Sequence, residues 1–401
     1  MFAGAYRRAP ERPTLRMIYP IRKRLYAAKR RTLKGMRSLL SRTPVRRFMV
    51  SDIQEVGSIH PDRADITNFK GILKPRVFRY DTEYQRAFLR GSDCYRDFVY
   101  SSPERFVCTI ENASIHMESG AVSTADGVLL AESAMERQRM ESSGAYQSFR
   151  PNRRRRLEGE YTTVWGLWGA QYYHWWIDCL PRIYSLVSTG VLPTTPILMP
   201  ATLSDFQRES LAACLPEGTP VIPIDEPGWI DVDQLVLASF VTGKACGLIP
   251  PAHRDYLRNR LYAHAGVDQG QTAFRRLYVS RGKVGRRRVL NEDVLESFLA
   301  DHGFESCQPE TLSLVEQVRL FQEAQVVVAP HGSALVNLLF GNHLKLLELF
   351  PNQNPATHFF FLCQSLGHQY YYLLHHCPRH HDDFNVDMVR FRDAYQRMMG
   401  G

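Results

Sequence analysis

Ala324–Phe340 reads AQVVVAPHGSALVNLLF. Val326, Val327 and Val328 put apolar, β-branched side chains on both sides of the chain, which suits a parallel strand buried on both faces. Pro330, Gly332, Ser333 and Ala334 then keep the side chains small where a helix over Ser333–Phe340 begins. A helix start offers unpaired backbone N–H groups and a partial positive charge. In an open α/β sheet, that end of a strand is where an anionic group such as a diphosphate binds. The stretch therefore predicts a site for a phosphate-bearing ligand.

Working outward, a strand-and-helix alternation runs from about Arg275. Arg276–Arg281 is a strand, Gly282–Arg288 a basic loop, and Asn291 caps a helix through Ala300 that Gly303 ends. Phe304–Cys307 is a strand, and Ser313 with Glu316 forms the capping box of a helix with Leu314, Val318, Leu320, Phe321 and Ala324 on its apolar face. Strands Gln325–Ala329 and Lys345–Phe350 complete a doubly wound parallel sheet of α/β class. The preceding third alternates more loosely. Thr162–Trp168, Pro196–Met199, Pro220–Ile224 and Gln234–Ala238 read as strands, Tyr172–Val187 and Leu203–Cys214 as helices, and together they form a second α/β lobe. Gly243–Gln271 then makes the crossing, with a helix around Arg254–His264. In 51–160 only pieces such as Phe106–Ile110 and Val128–Leu130 read as strand, without an order.

The 401 residues are enough for two domains of about 100–200 residues each. Residues 1–50 hold 15 Lys/Arg against the single acid Glu11, which leaves 35 basic and 40 acidic residues beyond Val50. The basic excess thus lies in one arm, interrupted by Pro10, Pro13, Pro20 and Pro44. Such an arm suits the anionic lipid of a cytoplasmic leaflet, at about 1 kcal/mol per Lys or Arg, or else a solvated tail. Nucleic acid is not the expected partner, because no aromatic residues are interleaved for base stacking. The arm lacks the apolar core of a secretory signal, and no apolar run approaches the roughly 18 residues of a membrane span, so the expected location is cytoplasmic or peripheral on the inner face of the membrane. Eight cysteines without a C-x-x-C pair suggest reduced, buried thiols rather than disulfides.

Several side chains can carry chemistry. Arg281 closes its strand beside the helix start at Ser333, where a guanidinium can neutralise a departing diphosphate, and Lys283, Arg286, Arg287 and Arg288 follow in the loop. His331 can donate to a phosphate or sugar oxygen, Asn337 lies one turn past Ser333, and Glu348 at a strand end suits the hydroxyls of a ribose. His174 and Asp178 stand at i and i+4 on one helical face, as a general base with its orienting partner or as a structural hydrogen bond. Trp165, Trp168, Trp175 and Trp176 are either a platform for a sugar ring or core. Asp231-Val232-Asp233 has the form that holds a metal against a diphosphate, but reads better as solubility and capping charge in a turn. His375, His376, Cys377, His380 and His381 lack the paired spacing of a zinc site. HGSAL is also like the oxyanion loop of serine hydrolases, a class excluded because no G-x-S-x-G elbow exists.

With these pieces in hand, the chain resembles glycosyltransferase family 61, which includes bacterial capsular-polysaccharide enzymes and eukaryotic N-acetylglucosaminyl- and xylosyltransferases. The matching pieces are YHWWIDCLPRI from Tyr173, YVSR from Tyr278, RRVLNE from Arg287, GFESCQPETLSLVEQVRLFQEAQVVVAPHGSALVNLLF from Gly303 and LLELFP from Leu346. The resemblance implies a GT-B-like fold of two facing Rossmann-like lobes, in which residues 51–245 form the acceptor lobe, 246–270 the connection, 271–380 the nucleotide-sugar lobe and 381–401 a C-terminal helix. It implies an inverting, metal-independent transfer from a nucleotide-diphosphate sugar to a glycan or lipid-linked acceptor in surface polysaccharide biosynthesis, with no cofactor. Asp178 or His174 would be the base. Arg281, Lys283, His331, Gly332, Ser333, Ala334, Asn337 and Glu348 would bind the donor, and Asp231 and Asp233 would hold no metal. Where the family often has HGAGL this chain has HGSAL, which keeps the turn small. A non-catalytic nucleotide-sugar-binding or membrane scaffold with the same fold is the competing expectation.

Overall fold

A computed structural model describes residues 55–90, 98–147, 154–243, 247–268, 270, 272–351, 355–375 and 383–400. The basic arm, and His376, Cys377, His380 and His381, lie outside the described residues. Two sheets carry the site.

The C-terminal sheet has five strands, all parallel: Arg275–Val279, Phe304–Cys307, Ala324–Pro330, Lys345–Phe350 and Gln369–Leu374. Their spatial order is second, first, third, fourth, fifth. Alternate residues of one strand enter different cores. Val327 and Ala329 join one apolar cluster with Val279, Leu346 and Phe350, while Val326 and Val328 join another with Tyr278, Leu347 and Leu349. Helices Leu314–Gln322 and His358–Leu366 cover the first face, and Glu292–Asp301 and Met388–Gly400 cover the second. This is the doubly wound arrangement that an all-valine strand requires. In this strand order the winding of the sheet reverses between the first and third strands, and in open α/β sheets ligands bind beyond the carboxyl ends at such a point. Those ends are Ser280-Arg281 and His331-Gly332.

The other sheet is mixed rather than purely parallel, with ten strands among the described residues. Its centre, Trp229–Ala238, runs antiparallel to Arg105–Glu111 and Ser114–His116 but parallel to Arg154–Thr162, which continues in parallel to Ile197–Pro200 and Val221–Ile224. Connection length explains the mixture. Gly120, at φ of 66°, sits in the tight turn that returns Ala121–Ser123 antiparallel to Ser114–His116, whereas the parallel half is joined through the helical segments of 172–188 and Asp205–Cys214. Residues 66–130, unordered in the sequence, supply most of the antiparallel half.

Three local expectations are corrected. The strand placed at Thr162–Trp168 is Arg154–Thr162, and the chain beyond it loops. Arg155, Arg156, Glu158 and Glu160 are exposed, so the strand lacks the apolar alternation that betrays one. Asp231 and Asp233 lie inside a strand, not in a turn before it: Ser114 Oγ donates to Asp231 Oδ1 at 2.5 Å, and Asp233 pairs with Arg156 and accepts from the Gly159 N–H at 2.8 Å. Asn291 stands at the N-cap position of its helix, but its side chain makes no cap bond there. Its amide instead clasps Val386 from both sides, at 2.9 and 2.8 Å, and so fastens the segment leading to Met388–Gly400.

The helix expected over Tyr172–Val187 is present with one departure. Between Tyr172–His174 and Arg182–Ser188 it widens into a π-helical turn, Trp175–Cys179, where the Leu180 N–H bonds the Trp175 carbonyl five residues back at 3.0 Å. Such single π turns often mark functional sites. This one contains Asp178. No helix among the described residues is long and apolar enough to cross a membrane.

Candidate active site

His174 and Asp178 are hydrogen-bonded at 2.6 Å; a carboxylate can only accept, so Nδ1 of the imidazole is the donor. The second carboxylate oxygen accepts from Thr242 Oγ1 at 3.0 Å. Asp178 is buried and His174 half-buried, so the pair has a fixed inner partner and an accessible outer ring. Arg182, wholly buried, holds the floor by donating to the carbonyls of Ala238 and Trp165 at 2.9 and 3.2 Å, and burial pushes its pKa down to about 10. Trp168 packs on His174 with ring centres 4.9 Å apart, and the Arg139 guanidinium lies 4.8 Å over Trp168. His174, Asp178, Trp168 and Arg139 line a narrow recess with Met135, Gly169 and Phe240. Of the four tryptophans, only Trp168 faces this recess from its surface; Trp165, Trp175 and Trp176 are core, and Trp175 Nε1 donates to Ser210 Oγ at 2.8 Å.

A second histidine–carboxylate pair sits at the edge of the parallel sheet. His331 Nδ1 and Glu348 Oε1 are 2.5 Å apart, and Tyr370 Oη donates to the other oxygen at 2.7 Å. Glu348 is fully enclosed with both oxygens occupied, so the carboxylate expected to take a ribose instead orients His331. The reason is register. Glu348 lies opposite Ala329 in the ladder, on the face that also holds Leu346, Phe350 and Tyr370, so its side chain is directed into the core below His331. Burial and the Glu348 charge push the Tyr370 pKa well above 10, which keeps its hydroxyl a donor.

Arg281 packs against Gly332. A Cβ at that glycine would collide with Nη1 and lie 3.1 Å from Cζ. The guanidinium is also steadied by the Arg286 carbonyl, which accepts at 3.2 Å. Ser333 is exposed and Ala334 half-buried at the start of the helical segment Ser333–Phe340, which is 3₁₀ rather than α. Lys283 is exposed in the loop, and Arg288 pairs with Asp383 at 2.7 Å. Asn337 points the other way. It is fully buried, donates to Gln317 Oε1 at 2.7 Å and accepts from Tyr172 Oη at 2.7 Å, tying the helix start to the residue two before His174. Asn337→Ala would remove two buried hydrogen bonds and leave Tyr172 Oη and Gln317 Oε1 only their bond to each other at 2.9 Å, and it should cost about 1–3 kcal/mol. Urea unfolding measures this, and an unchanged midpoint would remove Asn337 from the framework.

The two histidine pairs meet around His358. Its ring centre lies 5.1 Å from that of Tyr173 and 6.3 Å from that of His331, and Tyr173 is itself 5.3 Å from His174. Arg139, Thr242, His358 and Tyr370 were not anticipated. The only hint of any of them is a histidine opening the apolar helix HFFFLC.

Together these features define an α/β protein with Arg281 at the edge of its parallel sheet and two carboxylate-backed histidines. Residues 172–346 match the model of the family Glycosyltransferase 61, so the resemblance to glycosyltransferase family 61 is borne out over this segment and supports glycosyltransferase activity. No curated protein matches the chain. The matched segment begins at Tyr172, beside His174 and Asp178, and includes Arg281, His331 and Gly332.

Proposed function

We propose that the protein transfers a sugar from a nucleotide-diphosphate donor to a hydroxyl of a glycan or lipid-linked acceptor, with inversion at the anomeric carbon and as a step of surface polysaccharide biosynthesis. The observation that carries this reading is the approach of the His174–Asp178 pair to the switch point of the parallel sheet, where Arg281 and His331 stand. In this reading the two sheets are the acceptor and donor lobes of a GT-B arrangement.

His174, oriented by Asp178, takes the acceptor proton on Nε2 as the acceptor oxygen bonds to the anomeric carbon. The bond from that carbon to the diphosphate oxygen breaks, and its electron pair leaves on the diphosphate. Arg281, His331 and the N–H groups of the first turn at Ser333 stabilise that charge without requiring a metal; such preorganised donors are worth about 3–4 kcal/mol each. The basic arm holds the enzyme at the anionic inner face of the membrane, near a lipid-linked acceptor.

A ligand that binds only the folded state raises its melting temperature. A panel of nucleoside diphosphates and nucleotide sugars should therefore contain a stabilising pair, and the stabilising nucleotide sugar should be slowly hydrolysed without acceptor. Binding without hydrolysis or transfer would favour a scaffold. Absence of any binding would remove the donor site.

A further inference from the structure

His358 opens the helix His358–Leu366 that follows the fourth strand of the parallel sheet, and no part of the mechanism above uses it. Its position is distinctive. Tyr173 meets it edge-on, at 90° between ring planes, which sets it against the helix of His174 and Asp178, and the tilted ring of His331 is centred 6.3 Å away. His174 and His331 each have a buried carboxylate behind Nδ1. His358 has none, and its Nδ1 is enclosed without a hydrogen-bond partner among the described residues.

A buried polar ring whose Nδ1 has no protein partner is suited to a partner that arrives with the ligand. Which part of the ligand reaches it follows from the geometry of displacement. In an inverting transfer the base and the leaving group approach the anomeric carbon from opposite sides, so the transferred sugar lies between them. Granting the assignment of His174 as base and Arg281 with His331 as the leaving-group site, the space between is the space beside His358. We propose that an imidazole nitrogen of His358 takes a hydroxyl of the transferred sugar, making His358 a residue that recognises the sugar rather than the nucleotide of the donor. The inference rests on the proposed function.

The charge state suits that task. Burial first, and then the positive charges of His331, His174 and Arg139, push the His358 pKa down to about 4, with Asp178 opposing. A neutral imidazole offers one donor and one acceptor, which matches a hydroxyl, and it adds no charge that would draw the diphosphate away from Arg281.

His358→Phe keeps the aromatic packing against Tyr173 and removes the nitrogens; His358→Gln keeps hydrogen-bonding capacity and removes the ring. Calorimetric titration of the full chain with the nucleotide sugar from a panel of UDP-, GDP-, ADP- and dTDP-sugars that stabilises the wild type most, and with the matching nucleotide alone, separates the two parts of the donor. Losing one neutral hydrogen bond should weaken the sugar nucleotide about tenfold in His358→Phe while the nucleotide alone stays within about twofold. His358→Gln should recover part of the difference. Wild-type behaviour of His358→Phe would overturn the inference and leave a packing role. Equal weakening of nucleotide and sugar nucleotide would also overturn it, because the residue would then serve the whole crevice. A wild-type chain that binds no member of the panel would instead overturn the proposed function, and this inference with it.

Discussion

Turnover by the His174→Ala protein should fall about 10²–10⁴-fold, the usual contribution of a positioned base, while donor affinity changes little. The geometry makes the prediction specific. Nδ1 of His174 is committed to Asp178, so only Nε2 can receive the acceptor proton, and the buried carboxylate stabilises the imidazolium that results. Asp178→Asn tests that second role. An asparagine can turn its oxygen to His174 and its amide to Thr242 Oγ1, preserving the contacts and losing only the charge. Its turnover should fall about 10²-fold or more, with little loss of fold. Thr242→Val removes one hydrogen bond to the Asp178 carboxylate, worth about 1.5–3 kcal/mol, and since Asp178 keeps both its charge and His174 the rate should fall by about tenfold. The order His174→Ala, Asp178→Asn, Thr242→Val is thus predicted from largest effect to smallest. Initial rates of transfer, with circular dichroism as the folding control, measure it. Near-normal rates in folded His174→Ala and Asp178→Asn would make this helix structural and the base assignment wrong.

The parts of the site that were legible in the sequence are those encoded locally. Three valines followed by small residues specify a buried strand and a tight turn, and Ser313 with Glu316 specifies a helix start, because each signal acts within a few residues. The spacing of His174 and Asp178 likewise placed them on one face. What was hidden depends on distant partners. Glu348 was correctly placed near a strand end, yet its direction is set by His331 and Tyr370, 17 and 22 residues away along the chain. Asp178 is held by Thr242, 64 residues on, and no pattern near either residue announces it. His358 joins the site only because the fourth crossover helix packs against the helix of His174. The mixed sheet was obscure for a different reason: a strand such as Arg154–Thr162 is stabilised by its backbone ladders while its side chains face water, so hydrophobic periodicity does not reveal it.

Arg281 and Gly332 should behave as one functional unit. Gly332 has φ of −171°, an extended conformation open to any residue, so its missing side chain is required by space and not by backbone strain. That space is filled by the Arg281 guanidinium. Arg281→Ala should reduce turnover about 10²–10³-fold by removing the charge that stabilises the leaving diphosphate. Gly332→Ala leaves the arginine in the chain but displaces it, because Nη1 and the new Cβ cannot share one position. It should therefore reproduce much of the same loss, about tenfold or more if the guanidinium still reaches the diphosphate from a poorer position. The decisive measurement is the double variant. Once residue 281 is alanine the collision disappears, so adding Gly332→Ala should change turnover by no more than about twofold, far from the product of the single effects. Effects that multiply instead would mean that Gly332 and Arg281 act independently. The glycine would then serve the helix start itself, by letting the diphosphate approach the backbone at Ser333, and the arginine would reach the donor by a route that does not pass over Gly332.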